Sequence, residues 1–169
     1  MNRVEPRVQS IATNGETTTT TWTTGRNQLA QTHRYWLCTV RVDGRPHVMP
    51  LFGVWLEDAL YFTANAATRK AKNLAKNPRC VIAASSEELD LIVEGEAARV
   101  RDEATLRRVA DAYGAKYDWP LTARADGSFD APYGAPSAGP SPYEPYRFTP
   151  DVAFGLGMAE PFGATRWVF

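Results

Sequence analysis

The sequence predicts a mainly β protein whose antiparallel strands form a small closed or half-closed barrel, with a β-sandwich as the alternative. Two turn signals, Asp-Gly at 43–44 and Glu-Asp at 57–58, join three successive strand-like segments into a meander. The strand-like segment over 89–101 contains Gly95, and a glycine inside a strand is typical of the bulge or bend that a barrel requires. Few segments have helical periodicity, so helices are expected to be a minor part of the fold.

Aromatic and β-branched residues are concentrated in short segments, which predicts where the strands lie. The predicted strands cover 35–41, 47–56, 59–63, 79–84, 89–101, 146–148, 152–156 and 165–169. One predicted helix covers 69–77 and is ended by Pro78, and another follows the cap Asp102 and stops at Gly114. The segment 24–33 favours a short helix that leads into the first strand.

The chain of 169 residues is predicted to form one domain over residues 26–169, preceded by an arm over residues 1–25. The arm contains a run of threonines and few apolar residues, so it is expected to be mobile or loosely packed. Segment 117–145 is a Pro- and Gly-rich loop whose length and aromatic residues favour a functional role over plain disorder. We expect this loop to fold over a binding groove as a lid.

The formal net charge is zero, which argues against nucleic acid or a membrane surface as a partner. No apolar run reaches the length of a membrane span, and the polar N-terminus is unlike a secretory signal, so a cytoplasmic protein is expected. Cys38 and Cys80 lie in apolar strand-like segments, which favours reduced core residues over a disulfide or a metal pair. The two histidines are far apart in sequence, so no metal site is predicted.

The most specific local signal is the motif Thr68-Arg69-Lys70 at the start of the predicted helix. Thr68 is a suitable N-cap, and the positive end of a helix usually favours acidic residues. This helix carries Arg69, Lys70 and Lys72 there instead. Free N–H groups, a hydroxyl and an arginine together are typical of a phosphate site, so an anion site is predicted. The alternative is a solvated basic helix face.

Four segments of the chain, taken in order, carry a family resemblance. These segments are Asp43-Gly-Arg-Pro-His-Val-Met-Pro50, Leu60-Tyr-Phe-Thr63, Thr68-Arg-Lys-Ala-Lys-Asn-Leu-Ala-Lys-Asn-Pro78 and Ala164-Thr-Arg-Trp-Val-Phe169. Together they resemble the flavin-binding split-barrel family, which includes pyridoxamine 5′-phosphate oxidase and the actinobacterial flavin/deazaflavin oxidoreductases. The tail is similar to the deazaflavin-using branch. It lacks the longer basic C-terminal region of the true oxidases, so vitamin B6 oxidation itself is not expected.

The resemblance implies a six-stranded, Greek-key-like split barrel that works as a homodimer, with the cofactor in a groove between the subunits. The implied cofactor-binding residues are Val48, Met49, Pro50, Leu51, Thr63, Thr68, Arg69, Lys70, Arg166 and Trp167. The Thr-Arg-Lys motif would hold the cofactor phosphate, with Thr63 nearby. The backbone of 48–51 would run beside the ring system, and Arg166 and Trp167 would reach the cofactor of the partner subunit.

Strand alternation in the tail separates two kinds of residue. Trp167 and Phe169 share an apolar face, which is expected to be buried in the barrel or against a second subunit. Arg166 lies on the other face and needs an anion, supplied by the cofactor phosphate or by a carboxylate. Near the end of the second predicted helix, Lys116 and Tyr117 are expected to be a surface pair, with a place at a substrate mouth as the alternative.

These features and the resemblance predict an oxidoreductase that uses coenzyme F-420, a deazaflavin, for hydride transfer with a small organic substrate. The alternatives are an FMN-dependent oxidoreductase of the same fold and a non-catalytic protein that binds a flavin or another planar ligand. No side chain is predicted to act as a catalytic acid or base, which suits chemistry that the cofactor performs.

Overall fold

The fold is mainly β, with antiparallel strands and a few helices. A computed structural model describes residues 5–15, 17–134, 138–160 and 162–169. The described strands are β1 (Arg7–Ser10), β2 (Tyr35–Val40), β3 (Pro46–Leu51), β4 (Gly53–Leu56), β5 (Ala59–Ala64), β6 (Arg79–Ser85), β7 (Leu89–Arg99), β8 (Thr122–Ala123), β9 (Phe129–Asp130), β10 (Glu144–Gly157) and β11 (Ala164–Val168). The described helices are α1 (Trp22–Gln31), α2 (Arg69–Leu74) and α3 (Glu103–Tyr117).

Nine of these strands form one sheet with the topology of a split barrel. Neighbouring strands follow the order β1-β11-β10-β7-β6-β2-β3, and all of the pairs are antiparallel. The first part of β10 also pairs with β5, and β5 pairs with β4, so β10 joins the two parts of the sheet. The predicted mainly β class, antiparallel order and split-barrel fold are therefore confirmed.

Two predicted strand segments in the last part of the chain belong to a single long strand, β10. Its register against β7 shifts between Pro150 and Val152, which is the irregularity expected near Gly95. Gly95 lies opposite Pro150, and a Cβ atom there would come within 2.1 Å of the carbonyl oxygen of Thr149. The close approach of the two strands therefore requires glycine at position 95.

The strand predicted over 47–56 is divided at Phe52, which corrects the sequence analysis. β3 pairs with β2 whereas β4 pairs with β5, so the chain changes partner at this residue. Two tyrosines of α3 hold the break: the Tyr113 hydroxyl donates to the Phe52 carbonyl at 2.9 Å, and the Tyr117 hydroxyl donates to the Gly53 carbonyl at 2.8 Å. These partners are 61 and 64 residues away in sequence, which is why the local pattern did not reveal the break.

The described part of the N-terminal arm packs against the barrel. β1 pairs with β11, and α1 begins at Trp22 after the N-cap Thr21. Trp22 belongs to the barrel core, where its ring centroid lies 5.5 Å from that of Trp167. The boundary predicted at residue 25 therefore falls inside a helix whose first residue is part of the core. Residues 1–4 and 16 lie outside the described part of the chain.

The Pro- and Gly-rich segment 117–145 contributes to a second hydrophobic cluster, which it shares with α3 and the β4–β5 hairpin. Phe129 and Tyr143 are fully buried there, and their backbones exchange two hydrogen bonds of 2.8 Å. We therefore interpret the described part of this segment as an integral part of the fold rather than as a lid. Residues 135–137 lie outside the described part of the chain.

Candidate functional site

The predicted anion site lies where α2 begins, next to the β2–β3 hairpin. The turn between β5 and α2 is held by Asn65, whose carbonyl oxygen accepts from Thr68 N at 3.0 Å and from Thr68 Oγ1 at 2.7 Å. Thr68 Oγ1 also accepts from the Ala71 N–H at 3.4 Å, which is the N-cap contact that the sequence predicts. The helix ends at Leu74, earlier than predicted, but its start is where the motif places it.

Lys70 is distinctive because it is a buried cation. The residue is 4% exposed, and burial lowers the pKa of its amine. No residue in the described part of the chain forms an ion pair or a hydrogen bond with it. A charged side chain that is largely buried and has no counter-ion is costly, so this arrangement favours a bound anion. Arg69 beside it is exposed and adds a second positive charge.

Cations from α2 and from the turn that follows β2 lie near His47 of β3. Desolvation is the main cause that lowers the pKa of its imidazole, and Arg41, Arg69 and Lys70 lower this pKa further. Arg41 follows β2, and its Nε atom is buried with no hydrogen-bond partner among the described residues. An orphaned donor and concentrated positive charge fit a phosphate group. We call Arg41, His47, Thr68, Arg69 and Lys70 the phosphate site.

Buried polar contacts fix α2 against the β2–β3 hairpin. Asn73 Nδ2 donates to Thr39 Oγ1 at 2.9 Å, and both residues are buried. Thr39 Oγ1 in turn donates to the carbonyl oxygen of His47 at 3.4 Å. The cations of the phosphate site are therefore carried by elements that are tied together by hydrogen bonds.

The four residues expected beside the ring system lie on β3, at one end of the described sheet path. β3 pairs with β2 through one edge, and no described strand occupies its other edge. Pro50 lacks an N–H group and suits such an edge position. Val48 is exposed, Met49 and Pro50 are half-buried, and Leu51 is in the core. The free edge leaves backbone groups of this strand available to a planar ligand.

Thr63 lies outside the phosphate site. It sits on β5, is buried, and interacts with the hydroxyl group of Tyr113 on α3. Its side chain therefore contacts α3.

The tail separates Trp167 from Arg166, as alternation predicts. Trp167 is 0% exposed, and its Nε1 donates to the Thr20 carbonyl at 3.2 Å. An indole enclosed in the core of its own subunit cannot also reach a cofactor in a partner, so we assign Trp167 to packing. Arg166 donates to Gln9 Oε1 at 3.0 Å. Its partner among the described residues is an amide and not a carboxylate, so its charge is not neutralised there.

A second polar cluster was missed in the sequence. Lys116 Nζ donates to the Tyr35 hydroxyl at 2.9 Å and to the Gly53 carbonyl at 3.0 Å. Its nitrogen lies 5.1 Å from the ring centroid of Tyr35 and 5.4 Å from that of Tyr117. We call Tyr35, Tyr113, Lys116 and Tyr117 the lysine–tyrosine cluster.

The expected surface pair at the end of α3 is therefore half-buried and bonded to the barrel. Desolvation lowers the pKa of Lys116 to about 8 and is the main cause that raises the pKa of Tyr117 to about 12. The helix runs one turn beyond Gly114, the predicted stop, and ends at Asp118 in a left-handed conformation with φ 50°. Extending the helical periodicity past Gly114 would have placed 113, 116 and 117 on one face.

Comparison with protein families gives one decisive match. The sequence profile described as pyridoxamine 5′-phosphate oxidase matches residues 24–140, more than half of the chain. The chain belongs to this family. The matched range contains β2 to β7, α2 and the whole phosphate site, whereas Arg166 and Trp167 lie beyond it. No curated protein is significantly similar in sequence.

Solved structures of low sequence identity share the fold. A conserved hypothetical protein from Mycobacterium tuberculosis is similar with a TM-score of 0.63 and 16% identity, over 83% of this chain and 86% of that chain. An F420 reductase is similar with a TM-score of 0.54 and 23% identity, over 76% and 94% of the two chains. A heme-binding protein from Mycobacterium smegmatis has a TM-score of 0.59 and 18% identity, over 82% and 55%. Similarity at these identities establishes the fold alone.

The described residues contain neither a membrane-spanning helix nor a cluster of metal ligands. None of their helices combines the length and the apolar character that crossing a bilayer requires. The same residues contain no group of three or more His, Cys, Asp or Glu side chains that could hold a metal ion.

Proposed function

We propose that this protein is an oxidoreductase that binds coenzyme F-420 and transfers hydride between that cofactor and a small organic substrate. The observation that carries the proposal is the buried side chain of Lys70, which has no described counter-ion and lies beside Arg69 and His47. A phosphate group would supply the missing counter-charge. Family membership supports a flavin-type ligand at this position.

The residues of the phosphate site would bind and orient the cofactor. Lys70 and Arg69 neutralise the phosphate, and Arg41 offers its orphaned Nε–H. Thr68 Oγ1 already donates to Asn65 and accepts from Ala71, so Thr68 acts by fixing the helix start rather than by a free hydroxyl. The free edge of β3 would lie along the ring system. When bound, the cofactor supplies the hydride chemistry.

FMN is the alternative cofactor, because both cofactors carry a ribityl phosphate that the same residues would hold. Support for F-420 comes from the tail Thr-Arg-Trp-Val-Phe over 165–169, which resembles the deazaflavin branch, and from the fold shared with an F420 reductase. Support for FMN comes from the family itself. A non-catalytic role is the third possibility, and the fold shared with a heme-binding protein favours testing it.

The deciding experiment is titration of the purified protein with each cofactor, read by fluorescence, followed by turnover of quinones and enones. The proposal predicts tight F-420 binding and substrate-dependent loss of reduced F-420. Tight binding of FMN with FMN-dependent turnover would assign the alternative cofactor. Binding without turnover across the panel would assign a carrier, and binding of neither cofactor would reject the function.

We also propose that the protein forms a homodimer through the outer face of its sheet. Trp36 and Val48 are 46% and 49% exposed and lie on β2 and β3. Trp36 is opposite Pro50 on one side and Ala83 on the other, and Cys38 is opposite Val48, so apolar residues are contiguous across three strands. An exposed apolar area of this kind is typical of a protein–protein interface.

Sedimentation of wild type and Trp36→Asp tests the dimer. We expect wild type to be dimeric at micromolar concentration and the variant to be monomeric, because a carboxylate would be buried without a partner at the interface. Val42→Asp is the control, since Val42 is exposed on the β2–β3 turn and outside this face. A monomeric wild-type protein, or a dimeric Trp36→Asp variant, would refute the proposed interface.

A further inference from the structure

The last part of the Pro- and Gly-rich segment lies beside the turn that leads into the phosphate site. Asn65 directly follows β5, and Tyr143 directly precedes β10. Because β5 and β10 pair up to this point, with Ala64 opposite Glu144, the two segments leave the sheet side by side. We call residues 138–143 the proline strap, and all of them belong to the described part of the chain.

The side chain of Asn65 joins the proline strap to the turn. Its Nδ2 donates to the carbonyl oxygens of Pro140 at 2.8 Å and of Pro142 at 3.4 Å. Its Oδ1 accepts from Ala67 N at 2.8 Å, and its backbone carbonyl oxygen accepts from the amide and the hydroxyl of Thr68. A single residue therefore holds both the strap and the turn in front of α2.

The turn held by Asn65 determines where the cations of α2 lie. Thr68 caps the helix, and Arg69 and Lys70 are its first two residues. Lys70 is buried, so its side chain has little freedom to compensate for a shift of the helix start. Hydrogen bonds weaken steeply as their geometry departs from the preferred distance and angle. The position of the turn therefore bears directly on the affinity of the phosphate site.

The proline strap has an anchor of its own in the second hydrophobic cluster. Tyr143 is fully buried, and its ring centroid lies 5.2 Å from that of Trp119. Its hydroxyl donates to the carbonyl oxygen of Gly139 at 2.6 Å. Within the same strap, Ser141 Oγ donates to the Asp130 carboxylate. These contacts fix the strap against the cluster that includes α3, and they place the two proline carbonyl groups that the turn uses.

We propose that Asn65 is a positioning residue that couples the proline strap to the phosphate site, so that the strap sets the affinity of this site for its anion. This proposal rests on the proposed function. Asn65 acts through the helix start on Arg69 and Lys70 and does not itself contact the ligand. Because coupling between two sites is reciprocal, an anion bound at the phosphate site stabilises the strap in return.

The first test separates the tie to the strap from the local turn. Asn65→Ser keeps a side-chain oxygen that can accept from Ala67 N but is too short to reach the strap, whereas Asn65→Ala loses both contacts. Binding of F-420 and FMN is measured by fluorescence. We expect both variants to bind about fivefold more weakly than wild type, because each loses the hydrogen bonds to the strap. Wild-type affinity in Asn65→Ser would restrict Asn65 to the turn and overturn the proposal.

The second test acts on the strap itself. Tyr143→Phe removes the hydroxyl that bonds to Gly139 and keeps the buried ring. Tyr133→Phe is the matched control, because the Tyr133 hydroxyl donates to the Asp118 carbonyl oxygen and not to the strap. We expect Tyr143→Phe to weaken cofactor binding about threefold and Tyr133→Phe to leave it unchanged. In the Asn65→Ser background, Tyr143→Phe should have no further effect, because the coupling passes through Asn65.

Additive losses in the double variant would overturn the proposal, and so would equal losses in the two tyrosine variants. Hydrogen exchange gives a separate readout. Phe129 and Tyr143 exchange two backbone hydrogen bonds, and saturating cofactor should slow the exchange of these two amides about fivefold in wild type. Asn65→Ser should show no such slowing. Unchanged exchange in cofactor-bound wild type would overturn the coupling and leave the proposed function intact.

If wild type binds neither cofactor, the proposed function fails, and the variants are compared with inorganic phosphate as the probe. Weaker phosphate binding by Asn65→Ser, with Tyr133→Phe equal to wild type, would support the positioning role of Asn65 on its own. Equal phosphate affinity in Asn65→Ser and wild type, or failure of wild type to bind phosphate, would overturn it.

Discussion

Lys70 on α2 is buried and Lys116 on α3 is half-buried, and their surroundings are opposite. Lys70 has no described partner and lies among other cations. Lys116 donates two hydrogen bonds to neutral oxygens and lies over two aromatic rings. Burial lowers the pKa of both amines. The lowered pKa therefore does not distinguish the two residues. They differ in whether the chain supplies hydrogen-bond acceptors for the amine.

The comparison separates a ligand site from a structural site. The acceptors around Lys116 come from the chain itself and join α3 to the break between β3 and β4. Around Lys70, Arg69 and Arg41 add charge and an orphaned donor but no acceptor. A cation whose donors are used by acceptors of the chain itself has a structural role, whereas a cation without an acceptor in the chain indicates a place for an anion.

The largest expected effect is on cofactor affinity. Lys70→Ala removes a charge-assisted contact worth about 1.5–3 kcal/mol, so affinity should fall by about ten- to a hundredfold. Lys116→Met should leave affinity within about threefold of wild type, because its donors are used inside the chain. Both are measured by fluorescence titration with F-420 and FMN. Equal losses in the two variants would break the distinction between the sites.

The pH dependence of thermal stability should depend on Lys116, in contrast to cofactor affinity, which should depend on Lys70. The pKa of Lys116 is about 8 in the folded protein and 10.5 as the ordinary value, so the unfolded state binds more protons between these two pH values. Wild-type stability should therefore gain a contribution as pH rises from about 8, and this contribution should be absent in Lys116→Met.

Comparison of the two melting curves between pH 7 and 9.5 isolates this contribution, since the tyrosines are common to both proteins. We expect Lys116→Met to be at least as stable as wild type at pH 7. The Tyr35 hydroxyl still donates to the Leu29 carbonyl, and the Gly53 carbonyl still accepts from Tyr117. Parallel curves for the two proteins would contradict the desolvated state of Lys116.

The smallest expected effect is a shift in the titration of His47. Desolvation and nearby cations lower the pKa of this imidazole, so an anion bound at Lys70 should raise it. The complex then binds more protons than the free protein, and affinity for inorganic phosphate or FMN should increase as pH falls through this pKa. NMR titration follows the two histidine signals, with His33 as the internal reference. An unchanged His47 titration at saturating ligand would place the anion elsewhere.

The start of α2 was predictable because its determinants are local. Thr68 caps the helix through contacts with Asn65 and Ala71, each three residues away. The β2–β3 and β4–β5 hairpins were predictable for the same reason, since turn residues and alternation act over a few positions. The single strand expected to join them into a meander is divided at Phe52. The family motif followed from these short segments and was confirmed by the match over 24–140.

Contacts between residues far apart in sequence determined features that the local sequence pattern did not predict. The division at Phe52 and the place of Lys116 depend on contacts across 61 to 81 residues. Alternation predicted that Trp167 and Arg166 face opposite ways and that the Trp167 face is buried. Only the packing against Trp22 showed that this face is buried in the core of the same chain. The cap, the cations and the hairpin turns were thus determined by the sequence itself. Which of those cations found an acceptor was decided by the tertiary structure, because a charge is satisfied only by groups that the fold brings within hydrogen-bonding distance.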